Sequence, residues 1–207
     1  MNCEDKMALF IGMLCGDGCL SISHNGEGYR DYPIQFYNNC EQVVRLFDHL
    51  FFELFGVEGT ICSRMRPNRK EIWEFKKTSV GIARAIRKLG FPEGVKRDVL
   101  RVPNVIFQGG KTAQICFLLG LLMTDGCIRK NGIISFHMGS KQFLEDISVL
   151  LVNFIGMKKP VKEFLQRERY KSYQLYLNNA ERLILLSHMP TWDNGTPPVL
   201  SSWMRTR

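Results

Sequence analysis

"LFIGMLCGDGCLS" (residues 9–21) and "FLLGLLMTDGCIR" (residues 117–129) are apolar for most of a helix and then each deliver a carboxylate followed by glycine. Gly12 falls on Gly120, Asp17 on Asp125, Gly18 on Gly126 and Cys19 on Cys127, all 108 positions apart. A lone Asp-Gly after a helix is an ordinary C-terminal turn. Two at matching places, each after a helix that is apolar nearly all round, indicate helices buried at an interface and ending in paired acids. Gly12 and Gly16 are four apart, as are Gly120 and Thr124, so small residues share one face and two backbones can approach closely. Packed about a pseudo-twofold axis, the two helices would bring Asp17 and Asp125 side by side.

The rest of the chain repeats as well. Beyond the next loop the offset becomes 100 and holds, with "FGVEGTI" (55–61) on "IGMKKPV" (155–161), Trp73 on Tyr173, Phe75 on Leu175 and "SVGIARAIRKLGF" (79–91) on "NAERLILLSHMPT" (179–191). The difference is a loop eight residues shorter in the second copy, which marks a duplicated fold unit. Each copy opens with the acid-ended helix, about 5–16 and about 111–124. A hairpin follows, turning at Asn25 to Gly28 in one copy and at Asn131-Gly132 in the other. Next come the amphipathic helices "EQVVRLFDHLFFELFG" (41–56) and "KQFLEDISVLLVNFIG" (141–156), each closed by glycine. A second hairpin turns near Pro67 to Arg69 and near Arg167 to Tyr170, and a shorter helix ends the unit. The expected fold is α+β: two pseudo-twofold-related αββαββα units, each an antiparallel four-stranded sheet with helices on one face. The units are expected at 1–92 and 111–207, the second with a tail, joined by a linker at 93–110.

Alternation along the strands assigns Ile61, Val161, Trp73, Phe75, Tyr173 and Leu175 to the inner face. It leaves Cys62, Arg64, Arg66, Glu74, Lys76, Lys162, Gln166, Gln174 and Tyr176 on the outer one. Arg69, Lys70, Arg167 and Arg169 crowd the same hairpins, and Arg129 and Lys130, beside the Asn131-Gly132 turn, join the expected DNA-binding set. Basic strands carrying glutamine and tyrosine suit phosphates and base edges, and a major groove admits a two-stranded ribbon. The whole composition agrees: 28 Lys and Arg against 20 Asp and Glu give a formal charge of +8 and a pI near 9.2, favouring a polyanionic partner.

Other classes are disfavoured. In 207 residues, 45% hydrophobic content supports an ordinary core rather than disorder. Seven scattered cysteines, an odd number, read as reduced thiols filling small core spaces rather than disulfides or a zinc site. The longest apolar stretch, Ile115 to Met123, is far short of the roughly 20 residues that span a bilayer. No signal peptide is recognisable in "MNCEDK", so a soluble, intracellular protein is expected, in cytoplasm, nucleoid or an organelle.

Two carboxylates held close repel each other unless cations lie between them. Magnesium suits such a pair, taking few protein carboxylates and filling its remaining positions with water and phosphate oxygens, and two such ions hydrolyse phosphodiesters.

At this point "FIGMLCGDG" (10–18) and "LLGLLMTDG" (118–126) resemble the paired motifs of the LAGLIDADG homing endonucleases, in the form that carries both motifs on one chain. The resemblance runs from about residue 8 to about 189. It implies a DNA-binding saddle made of the two sheets, a long duplex site, and magnesium-dependent cleavage of both strands leaving short 3′ overhangs. Asp17 and Asp125 match the family's metal-binding catalytic pair, with Gly16 and Thr124 beside them in the expected metal set. Mn2+ is expected to replace Mg2+, and Ca2+ to support binding. A polar family residue on the hairpin strand matches Asn38, or Asn39 if the alignment slips by one. A family lysine ahead of the second motif resembles Lys96 in "GVKRDVLRVP" (94–103). In the second half these positions fall near His137 or Met138, and no lysine follows "SHMPTWDNGTPPVLSSWMRTR" (187–207), so the supporting residues are asymmetric.

The expected function is therefore a monomeric, intron-encoded endonuclease acting on double-stranded DNA, with no obligate protein partner. An RNA maturase acting on its intron is the alternative, since a basic sheet does not by itself separate RNA from DNA. A protein-splicing element is not expected, because no nucleophile opens the chain and no His-Asn pair closes it.

Overall fold

The computed structural model describes residues 1–24, 30–65, 70–166, 170–188 and 190. Its centre is a pair of helices, α1 (Cys3–Asp17) and α5 (Lys111–Thr124), packed directly on each other. Helix α1 starts in a capping box: the Asn2 side chain accepts from Asp5 N at 2.8 Å, and the Asp5 carboxylate accepts from Asn2 N at 3.3 Å. From Ala8 to Gly16 and from Ala113 to Met123 every residue is buried, so these helices have no solvent face. Glycine is required at their crossing. A Cβ on Gly12 would run into the Phe117 carbonyl, and one on Gly120 into the Leu9 carbonyl.

Around this pair the chain order is β1 (Gly18–Leu20), β2 (Ser23–His24), β3 (Arg30–Asp31), β4 (Pro33–Asn38), α2 (Glu41–Phe55), β5 (Thr60–Arg64), β6 (Ile72–Thr78) and α3 (Val80–Lys88). After α4 (Asn104–Gln108) and α5 come β7 (Gly126–Ile128), β8 (Ile134–Met138), α6 (Lys141–Ile155), β9 (Val161–Gln166), β10 (Tyr170–Leu177) and α7 (Asn179–Ser187). The strands form two antiparallel sheets of matching order, β1-β4-β6-β5 and β7-β8-β10-β9, while β2 and β3 make a small ribbon of their own. The duplication is visible in register: Gly18 pairs with Phe36 and Gly126 with Phe136, Tyr37 with Glu74 and His137 with Gln174. Thus α+β architecture, helix-backed four-stranded sheets and the doubled order are as the sequence predicts.

Strand alternation places the inner faces as expected. Phe75 and Leu175 are fully buried, and Ile61, Trp73, Val161 and Tyr173 pack against the core. In the first unit Phe10, Phe36, Phe47, Phe51 and Phe75 meet ring to ring, with Phe36 and Phe47 stacked at 4.2 Å and 5°. Each such side chain removed from water contributes about 1.5 to 3 kcal/mol, which fastens α2 to its sheet. Gly56 and Gly156, at φ 70° and 73°, close α2 and α6 in the left-handed conformation. Gly132, at φ 81°, sits in the turn read from Asn131-Gly132. The turns expected at 25–28 and 67–69, and most of that at 167–170, lie outside the described residues.

The segment between α3 and α5 is pinned rather than loose. Arg101 donates twice to the Asp146 carboxylate, at 2.7 and 2.8 Å, and Val102 N donates to it at 3.1 Å, while Leu100 and Val102 are buried. Glu74 departs from the pattern: it lies on the outer face yet is buried. The cysteines need a correction as well. All seven are free, but only Cys15 and Cys116 are buried, whereas Cys3, Cys62 and Cys127 are exposed, because short apolar neighbours in sequence do not guarantee a core-facing side chain. Among the described residues no helix is long and apolar enough to cross a membrane.

Candidate functional site

Because α1 and α5 end at the same level of their interface, both acids emerge there. A Cβ on Gly16 would lie 3.4 Å from the Asp125 backbone N, so the end of one motif touches the end of the other. Asp17 closes α1, and its Oδ2 accepts from Asn38 Nδ2 at 2.7 Å. Asn38 Oδ1 in turn accepts from Cys40 N at 2.8 Å, which fixes the amide with its donor side toward the acid. Of the two alternatives on β4 it is Asn38 that meets Asp17, while Asn39 is exposed.

Asp125 follows α5 and lacks such a partner. Its strand counterpart is Met138, buried and apolar, and among the described residues nothing hydrogen-bonds the Asp125 carboxylate. Burial and then the charge on Asp17 push its pKa up to about 6, against the pull of Lys96. Burial also raises Asp17, opposed by the Asn38 hydrogen bond and by Lys96.

Lys96 reaches across from the segment after α3 and places its ammonium on the carbonyls of Leu14 at 3.3 Å, Cys15 at 2.8 Å and Gly16. Helix α1 has no basic residue in its last turn, so Lys96 supplies the cation that its negative end attracts. Burial lowers the Lys96 pKa, and Cys15 and the two aspartates act in the opposite direction. The Gly16 carbonyl expected in the metal set is thereby engaged. At the matching end of α5, Thr124 Oγ1 donates to the carbonyls of Gly120 at 3.1 Å and Leu121 at 3.0 Å.

The donor set fits a hard divalent ion. Two adjacent, half-buried carboxylates carry more negative charge than one lysine offsets, and among the described residues no group of three or more His, Cys, Asp or Glu gathers. That excludes a closed zinc cage among those residues, and a hard ion held by the two acids would take its remaining ligands from water or phosphate oxygens.

The basic residues expected at a nucleic-acid interface divide into several groups. Lys70, Lys76, Lys130 and Lys162 are exposed. Arg129 stacks over the Tyr176 ring at 5.3 Å, with Lys162 at 6.0 Å from the same ring. Arg64 is ion-paired with Glu74 at 2.6 Å. Gln174 is tied to His137, its Nε2 lying 3.1 Å from the ring Nε2. Arg66, Arg69, Arg167 and Arg169 lie outside the described residues, as does the Gln166 side chain at the end of β9. Sequence reading missed Gln35, Tyr37 and His137 as members of this outer face. The same strand alternation, applied to β4 and β8 where Phe36 and Phe136 are buried, would have found them.

The family model described as "LAGLIDADG-like domain" matches residues 112–187. The A-type ATP synthase of Pyrococcus abyssi contains a subunit that is 26% identical over 161 residues, 77% of this chain and 14% of that protein. The chain thus spans about a seventh of the length of the curated relatives it matches. A solved structure of mesophilic variants of the homing endonuclease I-DmoI superposes with a TM-score of 0.73 at 17% identity, covering 98% of this chain and 100% of that one. I-DmoI in complex with DNA and Ca gives 0.72 at 16% identity, covering 100% of both chains. Residues 112–187 are thus similar to the LAGLIDADG-like domain, and the chain as a whole has the two-unit fold of the I-DmoI structures.

Proposed function

We propose that this chain is a site-specific, magnesium-dependent DNA endonuclease that acts as a monomer and cuts both strands of a long duplex site. The observation that carries this reading is the meeting of Asp17 and Asp125 at the ends of two glycine-apposed helices, on the joint between two sheets with basic outer faces. Divalent ions bound by the two acids would polarise the scissile phosphates and activate water for attack. Asn38 orients Asp17, and Lys96 holds positive charge beside both acids without ligating an ion. Arg64, Lys76, Arg129, Lys130 and Lys162 would bind the duplex backbone and base edges across the two sheets. The chemistry of the site admits Mn2+ in place of Mg2+ and Ca2+ for binding, and the solved complex of I-DmoI with DNA and Ca supports a duplex as the partner.

The test is a cleavage selection from a randomised duplex library with magnesium, repeated with calcium. Wild type is expected to select one long site and cut it on both strands only with magnesium, while Asp17→Asn and Asp125→Asn bind that site and leave it intact. Unimpaired cutting by both variants would refute the assignment.

A further inference from the structure

Solvent does not reach one carboxylate on the outer face of the first sheet. Glu74 pairs with Tyr37 on β4 and Cys62 on β5, on the side away from α2 and α3, yet is only 1% exposed. Gln35 Nε2 and the Tyr37 hydroxyl both donate to its Oε1, each at 3.3 Å. Tyr37 remains a donor, because its burial and the Glu74 charge push its pKa up to about 12. The other oxygen, Oε2, has no hydrogen bond. Arg64 Nη2 lies 2.6 Å from it, close enough for the charges to pair but out of line for a hydrogen bond, and the Arg64 side chain is itself 62% exposed.

A buried carboxylate with an unbonded oxygen is costly, and breaking its ion pair would cost more, so Arg64 is held over Glu74. The guanidinium keeps its remaining donors toward solvent in a fixed fork. Two ligands suit such a fork, a phosphate and the O6/N7 edge of guanine. Glu74 decides between them. Its charge cancels much of the attraction Arg64 would offer a phosphate, and it leaves intact the directional donors that a base edge needs. Lys76, one strand pairing away opposite Gln35 and exposed, has no such carboxylate beneath it, so its full charge would suit a phosphate. The second unit lacks the device: its counterpart pair is Gln174 with His137, whose pKa is lowered by burial and by Arg129.

We propose that Arg64, held by Glu74, reads a single guanine in the half-site docked on the first unit, with Glu74 as its positioning residue. This rests on the duplex-binding reading above. The test is a binding selection from a randomised duplex library in calcium, with wild type, Arg64→Ala, Arg64→Lys and Glu74→Gln, each checked for a folded melt. Wild type should select a site with a guanine column that Arg64→Ala and Arg64→Lys flatten, with a roughly 5- to 150-fold loss on the cognate duplex and other columns unchanged. Glu74→Gln should blur the same column alone. If it fails to fold, the two Arg64 variants, whose side chain is exposed, carry the decision. Uniform weakening across all sequences, with the salt slope reduced by about one, would make Arg64 a phosphate contact and overturn the proposal. A folded Glu74→Gln with an unchanged column would overturn it too. A wild type that selects no duplex at all would remove the duplex-binding reading along with it, whereas a selected site without an Arg64-dependent guanine removes this proposal alone.

Discussion

Asp125 is held in a position that its charge does not favour. Its unfolded-state pKa is near 3.8 and its folded value is raised to about 6, so between those values the folded chain binds more protons than the unfolded one. The associated stability is fully present below about pH 4 and is lost as pH rises through about 6. Without divalent ions, Asp125→Asn should therefore be more stable than wild type at pH 7.5 by about 1 to 3 kcal/mol, with the gap closing toward pH 4. Unfolding by urea in a chelator at both pH values measures this. An asparagine variant less stable at pH 7.5 would mean that the carboxylate is not crowded as described. Added magnesium should reverse the order, since an ion that binds the native acids stabilises wild type and has less to hold in the variant.

Helices α1 and α5 make the site by approaching more closely than side chains allow. At Gly120 a methyl group would strike the Leu9 carbonyl and lie 2.8 Å from Met13 N, both backbone atoms of the facing helix that cannot swing aside. Gly120→Ala should destabilise the protein by about 1 to 3 kcal/mol or more, although alanine is the better helix former. Gly81 in α3 is the control, because a Cβ there meets nothing within 4 Å. Gly81→Ala should leave stability unchanged or raise it by up to about 1 kcal/mol. Thermal melts of the two variants side by side check the sign, and equal behaviour would contradict the close crossing.

At the scale of the molecule, two sheets with basic outer faces are joined through one apolar helix pair, and the formal charge is +8. Affinity for a duplex should then fall steeply with salt, because each phosphate neutralised releases counterions. Between 50 and 200 mM salt a loss of roughly 10²-fold or more is expected. Titration of a labelled duplex across that range measures it, and a flat response would exclude the basic faces as the docking surface.

Features set by local periodicity were legible from the chain alone. These are the two acid-ended helices, the alternation that sent Phe75 and Leu175 inward, the glycine closures at Gly56 and Gly156, and the doubling of the whole order. The first three depend on residues a few positions apart, whose spacing matches a helix turn or a strand pleat, and the doubling shows as the same local patterns recurring at an offset of 108 and then 100. What only the tertiary structure decided is which side chains meet across long separations. Asn38 rather than Asn39 bonds Asp17 because β4 lies beside β1 in one register. Lys96 caps a helix that ended some eighty residues earlier. Glu74 is hidden on an outward face because Gln35, Tyr37 and Arg64 converge on it from neighbouring strands. Burial and hydrogen bonding are properties of packed neighbours, and no spacing along a single segment encodes them.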